Sequence, residues 1–146
     1  MSDSMTDSIT ITTDKLRLDV NLIHRFLSEE SYWAKGIPRA TVERSIDNSL
    51  TFGVLDGDQQ VGFARVVSDF AVFAYIGDVF IVGSHRGRGL SKRLMEAIRA
   101  HPSLQGLRRW HLLTRDAHGL YAQSGFASLA NPDRHMELVH PNPYGR

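Results

Sequence analysis

Residues 78–95 read D-V-F-I-V-G-S-H-R-G-R-G-L-S-K-R-L-M. The apolar run at 79–82 predicts a strand, Gly83 breaks it, and the turn Arg86-Gly87-Arg88-Gly89 follows. From Leu90 the spacing predicts an amphipathic helix. A turn in that position leaves backbone N–H groups unpaired and pointing one way, and the positive end of the helix dipole adds to them. Together they make an anion site. Gly87 and Gly89 let the backbone approach a phosphate closely and take positive φ without strain. Arg86, Arg88 and Lys92 add full positive charge beside it. The local chemistry is that of a pyrophosphate site, although a glycine-rich turn alone also serves as an ordinary strand-to-helix connection.

Two familiar phosphate motifs do not fit. A nucleotide P-loop needs G-x-x-x-x-G-K-[ST], which is absent. The dinucleotide fingerprint needs G-x-G-x-x-G, whereas Leu90-Ser91-Lys92 follow the second glycine here. What stands in the chain is Arg86-x-x-Gly89-x-Ser91, and downstream lies H-G-L-Y-A-Q-S-G-F, residues 118–126. The first resembles the R/Q-x-x-G-x-G/A signature of the GNAT N-acetyltransferase family, with Ser91 in place of Gly or Ala. The second resembles that family's helix ending in L-Y-x-x-x-G-F. The order of elements also resembles the family over residues 50–139.

Composition sets bounds around this. The chain has 146 residues, 42% of them hydrophobic and 23% charged, with a formal net charge of +1. That fits one domain with a sizeable core, spanning residues 1–146. Near-neutral charge gives no case for a nucleic-acid partner, although Arg86, Arg88, Lys92, Arg93 and Arg99 cluster in one segment. The chain has no cysteine, which excludes a thiol nucleophile, a disulfide scaffold and thiolate metal sites. The seven histidines show no H-x-x-x-H spacing, so no metal is expected. No run approaches a membrane span, and residues 1–8 are polar, lack a signal core and read as a frayed tail. A cytoplasmic protein is the expectation.

Along the chain, residues 9–12 read as a strand, 20–27 as a helix capped by Asp19, and 41–46 as a second helix. Residues 51–55 and 60–67 read as strands joined by the turn Asp56-Gly57-Asp58. Residues 70–82 read as a longer strand, 90–100 as a helix stopped by Pro102, and 109–114 as a strand. Residues 116–123 read as a short helix capped by Asp116, with candidate strands at 126–129 and 135–139. Hairpins first and strand-helix-strand later give an α+β, or mixed α/β, class with a central sheet. The resemblance implies a mostly antiparallel sheet, splayed between its fourth and fifth strands and flanked by helices.

The resemblance also implies acetyl-coenzyme A as co-substrate and assigns roles. The backbone of Val79, Phe80, Ile81 and Val82 would pair with the pantetheine arm, with an N–H near Ile81 as oxyanion donor. The loop Arg86, Gly87, Arg88, Gly89, Leu90, Ser91 and Lys92 would take the pyrophosphate. Tyr121 would be the general acid, since a phenol near pKa ~10 can protonate a leaving thiolate near ~8.5. Thr114 and Asp116 would face pantetheine. Asp78 would act on the amine, directly as an ammonium anchor or through a water as base, with His111 as the other candidate. Glu29 and Glu30 could select a cationic amine. Tyr32, Trp33, Phe52, Phe70, Phe73 and Tyr75 are candidates for lining a cleft for an aromatic or apolar amine. The expected reaction is direct attack of a small-molecule amine on the thioester in a ternary complex. The alternative is a catalytically silent acyl-coenzyme A-binding sensor or protein-interaction module. The family is compatible with a homodimer, and no interface can be read from the residues.

Overall fold

In the computed structural model, which describes residues 8–144, five strands form one sheet in chain order. They are β1 (Ile9–Thr12), β2 (Leu50–Asp56), β3 (Gln59–Ser68), β4 (Phe73–Ile81) and β5 (Arg109–Leu112). The first four pair antiparallel, and β5 runs parallel to β4. The helices are α1 (Val20–Arg25), α2 (Arg39–Asp47), α3 (Leu90–Ala100) and α4 (His118–Ala122). The expected mixed α/β class with flanking helices is therefore observed. The frayed tail expected over residues 1–8 lies, Ser8 apart, outside the described residues.

Both faces of the sheet are covered, which is why β2 and β3 are buried along most of their length. On one face α3 lays Leu90, Leu94, Met95 and Ile98 against Phe52, Val54, Val66, Ala74 and Ile76. On the other, α1 and α2 bring Ile23, Val42 and Ile46 onto Phe63 and Phe80. Phe26 and Phe80 stack there with ring centroids 4.0 Å apart. Alternation along β4 thus sends Val79 and Ile81 to the α3 face and Phe80 to the α1–α2 face.

Several boundaries differ from expectation, each for a local reason. The first helix ends at Arg25 and passes into a wider π-type turn, Phe26–Glu30. The long strand begins at Phe73, because the Asp69 carboxylate accepts from the N–H groups of Ala71, Val72 and Phe73 and holds that entry as a turn. Asp116 is not the cap of α4: the N–H of Ala117 donates to Thr114 Oγ1 at 3.0 Å, and the Asp116 side chain is exposed. Residues 126–129 and 135–139 are not strands. Strand propensity needs a neighbour to pack against, and the short helical turn Pro132–Arg134 separates the two segments. Met136 is left 98% exposed.

Candidate active site

β5 stops at Leu112, opposite Ile76, while β4 runs on to Ile81. On that side the backbone of residues 77–81 has no strand neighbour among the described residues, and the sheet opens into a cleft of about 480 Å³. On its other side β4 pairs with β3, but not evenly. Phe63 faces Phe80 and Arg65 faces Gly77, so two residues of β4, Asp78 and Val79, stand opposite Ala64 alone. This is a β-bulge. Asp78 takes φ 54°, a conformation that aspartate tolerates better than most residues. Its side chain lines the cleft.

The Asp78 carboxylate is doubly held there. Oδ1 accepts from Trp33 Nε1 at 2.8 Å, and Oδ2 accepts from Arg65 Nε at 2.8 Å. Arg65 also donates to Ser49 Oγ at 3.2 Å. Trp33 meets Tyr32 edge to face at 5.0 Å. The Arg115 guanidinium lies 3.8 Å from the centre of the Tyr32 ring, and the Arg115 N–H donates to the Tyr32 hydroxyl at 3.1 Å. Tyr75 lines the same cleft, and burial pushes its phenol above the ordinary value.

Tyr121 sits on α4 and is buried, its ring packed edge-on against Phe126 at 6.2 Å. The turn that follows folds back: Gly125 takes φ 97°, and the N–H of Phe126 donates to the Tyr121 carbonyl. Burial raises the Tyr121 pKa, and Tyr32 and Asp116 raise it further. The hydroxyl therefore stays protonated through and beyond neutral pH. Tyr121 shares the cleft with Asp78, Val79, Thr114 and Asp116. The Thr114 oxygen accepts from the Ala117 N–H in the turn that precedes α4, and its O–H can still donate.

Beyond β4, Val82 is extended, residues Gly83–His85 make one tight turn, and Arg86 is extended again. Gly87 and Gly89 then take φ 78° and 73°. Gly89 is the N-cap of α3, and no side chain caps that end. The first-turn N–H groups at Leu90, Ser91 and Lys92 accordingly face a hollow of about 300 Å³. A Cβ at Gly87 or Gly89 would project into open space. Arg86 Nε donates to the Ile81 carbonyl at 2.9 Å, which ties the loop to the end of β4. His85 ties it to the β2–β3 turn through a chain from Ser84 Oγ to His85 Nδ1 and from His85 Nε2 to Asp56 Oδ2, both 2.8 Å. Hydrogen bonds from Ser8 and His85 hold the Asp56 carboxyl below its ordinary value, with a smaller contribution from Arg88.

The structure thus brings Asp78, Val79, Thr114, Asp116 and Tyr121 to one cleft, and Ile81, Arg86, Gly87, Gly89, Leu90, Ser91 and Lys92 to the adjoining hollow. For Phe80 the expectation concerns the backbone, which belongs to β4 at the open edge, while its side chain enters the core. Arg88 is not among the residues lining the hollow, and other expected residues fall elsewhere. His111 stacks between Tyr75 and His135 and lines a neighbouring groove that shares Leu113, Thr114 and Tyr121 with the cleft. Of the aromatic candidates, Tyr32, Trp33 and Tyr75 line the cleft, whereas Phe52 is core and Phe70 and Phe73 are exposed elsewhere. Glu29 and Glu30 do not line the cleft. Two charged residues of the cleft were not anticipated. Arg65 had a signal, a charge inside an otherwise apolar strand, which implies a partner. Arg115 had none.

Comparison with known proteins bears on the family and the fold. Residues 47–128 match the family described as "Acetyltransferase (GNAT) domain". A crystal structure from Xanthomonas campestris, described as belonging to the GNAT family, is 54% identical. It covers 94% of this chain and 97% of that one, with a TM-score of 0.92. A curated relative from Gibberella zeae, provisionally named an acetyltransferase, is 27% identical over 136 residues, covering 78% of this chain and 76% of its own length. A Clostridium acetobutylicum protein solved with acetyl-coenzyme A shares the fold, with a TM-score of 0.67 at 16% identity and coverage of 90% and 96%.

Proposed function

Because the chain belongs to the GNAT acetyltransferase family, we propose that it transfers the acetyl group of acetyl-coenzyme A to the amine of a small molecule, by direct attack in a ternary complex. One observation carries the reading: the open edge of β4 leads straight into the uncapped N-terminus of α3, with the Tyr121 side chain beside it.

In this reading the pantetheine arm lies along residues 79–82 as a further strand would. The pyrophosphate occupies the hollow at Gly87, Gly89 and the first N–H groups of α3, with Lys92 adding charge and Arg88 contributing its N–H. Arg86 braces the loop. An N–H near Ile81 stabilises the oxyanion as the amine nitrogen attacks the thioester carbonyl. The C–S bond breaks, and Tyr121 donates its proton to the departing thiolate. Asp78 accepts a hydrogen bond from the amine and orients it, and the proton that the amine loses leaves through water. Thr114 and Asp116 face the pantetheine side of the cleft.

The test is release of coenzyme A thiol from acetyl-coenzyme A in the presence of amines. Amine-dependent release with matching N-acetylated product is expected. Binding of acetyl-coenzyme A without release for any amine class would favour a silent acyl-coenzyme A sensor instead.

A further inference from the structure

We propose that the acceptor has an aromatic or flat apolar body and an amino group as its one charged group, and that Arg65 together with the Tyr32–Trp33 pair enforces that choice. This rests on the acetyl-transfer reading above and names its substrate class.

The argument begins with charge. The cleft-lining carboxylates are Asp78 and Asp116, and the cleft-lining guanidinium groups are Arg65 and Arg115. Arg65 meets Asp78 at 2.8 Å, and Arg115 lies 3.9 Å from Asp116 at the rim. Negative charge is matched in place, so a second cationic group on the acceptor finds no carboxylate of its own. A carboxylate on the acceptor fares no better in the depth of the cleft, because Arg65 is already engaged by Asp78 and Ser49.

What remains is aromatic surface. Trp33 is held by its N–H to Asp78, and its ring forms one wall of the cleft. Tyr32 stands edge-on to it, with its far side covered by Arg115. Tyr75 lines the same space from β4. Tyr32 and Trp33 are nonetheless 46% and 43% exposed, so much ring surface is left for a ligand to cover. Because Asp78 holds Trp33, an amine oriented by that carboxylate has its attached carbon body against the ring. One head group at Asp78 and one flat body against Tyr32 and Trp33 satisfy every group that lines this part of the cleft.

The experiment compares kcat/KM for 2-phenylethylamine, putrescine and phenylalanine with acetyl-coenzyme A. These acceptors respectively present an aromatic body with one amine, a second cation, and an added carboxylate. The arylalkylamine is expected to lead each of the others by about 10-fold or more. Trp33→Leu is expected to lower its kcat/KM about 10-fold, mainly through KM, in a protein that remains folded at the assay temperature. Arg65→Met is expected to narrow the deficit of putrescine, because Asp78 then stands unmatched. A preference for putrescine or phenylalanine in the wild type overturns the proposal while leaving acetyl transfer intact. If every amine is silent although acetyl-coenzyme A binds, calorimetry of 2-phenylethylamine into the coenzyme A complex decides: binding supports the class, and none at millimolar concentration overturns it. Failure of acetyl-coenzyme A to bind the folded protein overturns both readings.

Discussion

Arg65 and Asp78 form an ion pair across a β-bulge, with Nε donating to Oδ2 at 2.8 Å. The two side chains are only 21% and 12% exposed, so the pair is partly withdrawn from water. Removing one partner leaves the other half-buried and uncompensated, which costs more than removing both. Arg65→Met is expected to destabilise the fold by about 1–3 kcal/mol, and the double variant Arg65→Met/Asp78→Asn by less. Urea denaturation of the three proteins checks this. Equal or greater loss in the double variant would show that the pair contributes through something other than charge compensation.

Asp78 also has a backbone role, because its φ is 54°. Asn tolerates that conformation and Ala does not, at a difference of about 1–2 kcal/mol. Asp78→Asn should keep the fold better than Asp78→Ala, while both lose turnover. Parallel melts and thiol-release rates distinguish the two contributions.

Tyr121→Phe removes a hydroxyl and little else, since the ring packing against Phe126 is retained. A fall in kcat of about 10²-fold or more is expected, with the Kd for acetyl-coenzyme A nearly unchanged. The pKa of Tyr121 is raised by burial from 10.0, so its proton is bound more tightly in the folded state and is lost only as pH rises through that higher value. Any alkaline loss of kcat that belongs to Tyr121 therefore falls above about pH 10. A limb between pH 7 and 9 that vanishes in Tyr121→Phe would contradict this.

Gly89→Val places a branched residue at φ 73° and projects it toward the hollow at the N-terminus of α3. Binding of acetyl-coenzyme A should be lost while the α3 core of Leu90, Leu94, Met95 and Ile98 holds the helix in place. Gly83→Ala is the control, because that position has no positive φ and open space around it. Its cofactor affinity is expected to stay within about twofold of the wild type, as for surface substitutions of small cost.

Asp56 joins Ser8 and His85 and has a depressed pKa, so the sign of its contribution follows directly. Its stabilisation is present above the unfolded value of 3.8 and is lost as pH falls through the lower folded value. Melting temperatures of the wild type and Asp56→Asn should differ at neutral pH and converge as the pH falls well below 3.8. A constant difference across that range would remove the carboxylate from the account.

Much of the frame was legible because local signals and long-range packing agree there. Helix α3 runs from Leu90 to Ala100 as expected, since its stripe at 90, 94 and 98 meets the sheet and Pro102 prevents continuation. The β2–β3 hairpin followed from Asp56-Gly57-Asp58, where Gly57 takes φ 62°. The expected strands at 126–129 and 135–139 failed because β-forming residues predict a strand only if an edge receives them. The Asp116 cap failed because the helix starts one residue later, after Ala117, whose N–H is taken by Thr114 in the preceding turn, and no side chain caps that end. At the site, the glycine loop and Tyr121 could be read from motifs. The positive φ of Asp78 and its hold on Trp33 and Arg65 could not, since the bulge depends on how β4 registers with β3.

The most direct test of the central claim is calorimetric titration of the purified protein with acetyl-coenzyme A, run in parallel on Gly89→Val. The account predicts one micromolar site per chain in the wild type and none in the variant, with both proteins folded. No binding by the folded wild type, or equal binding by Gly89→Val, would contradict it.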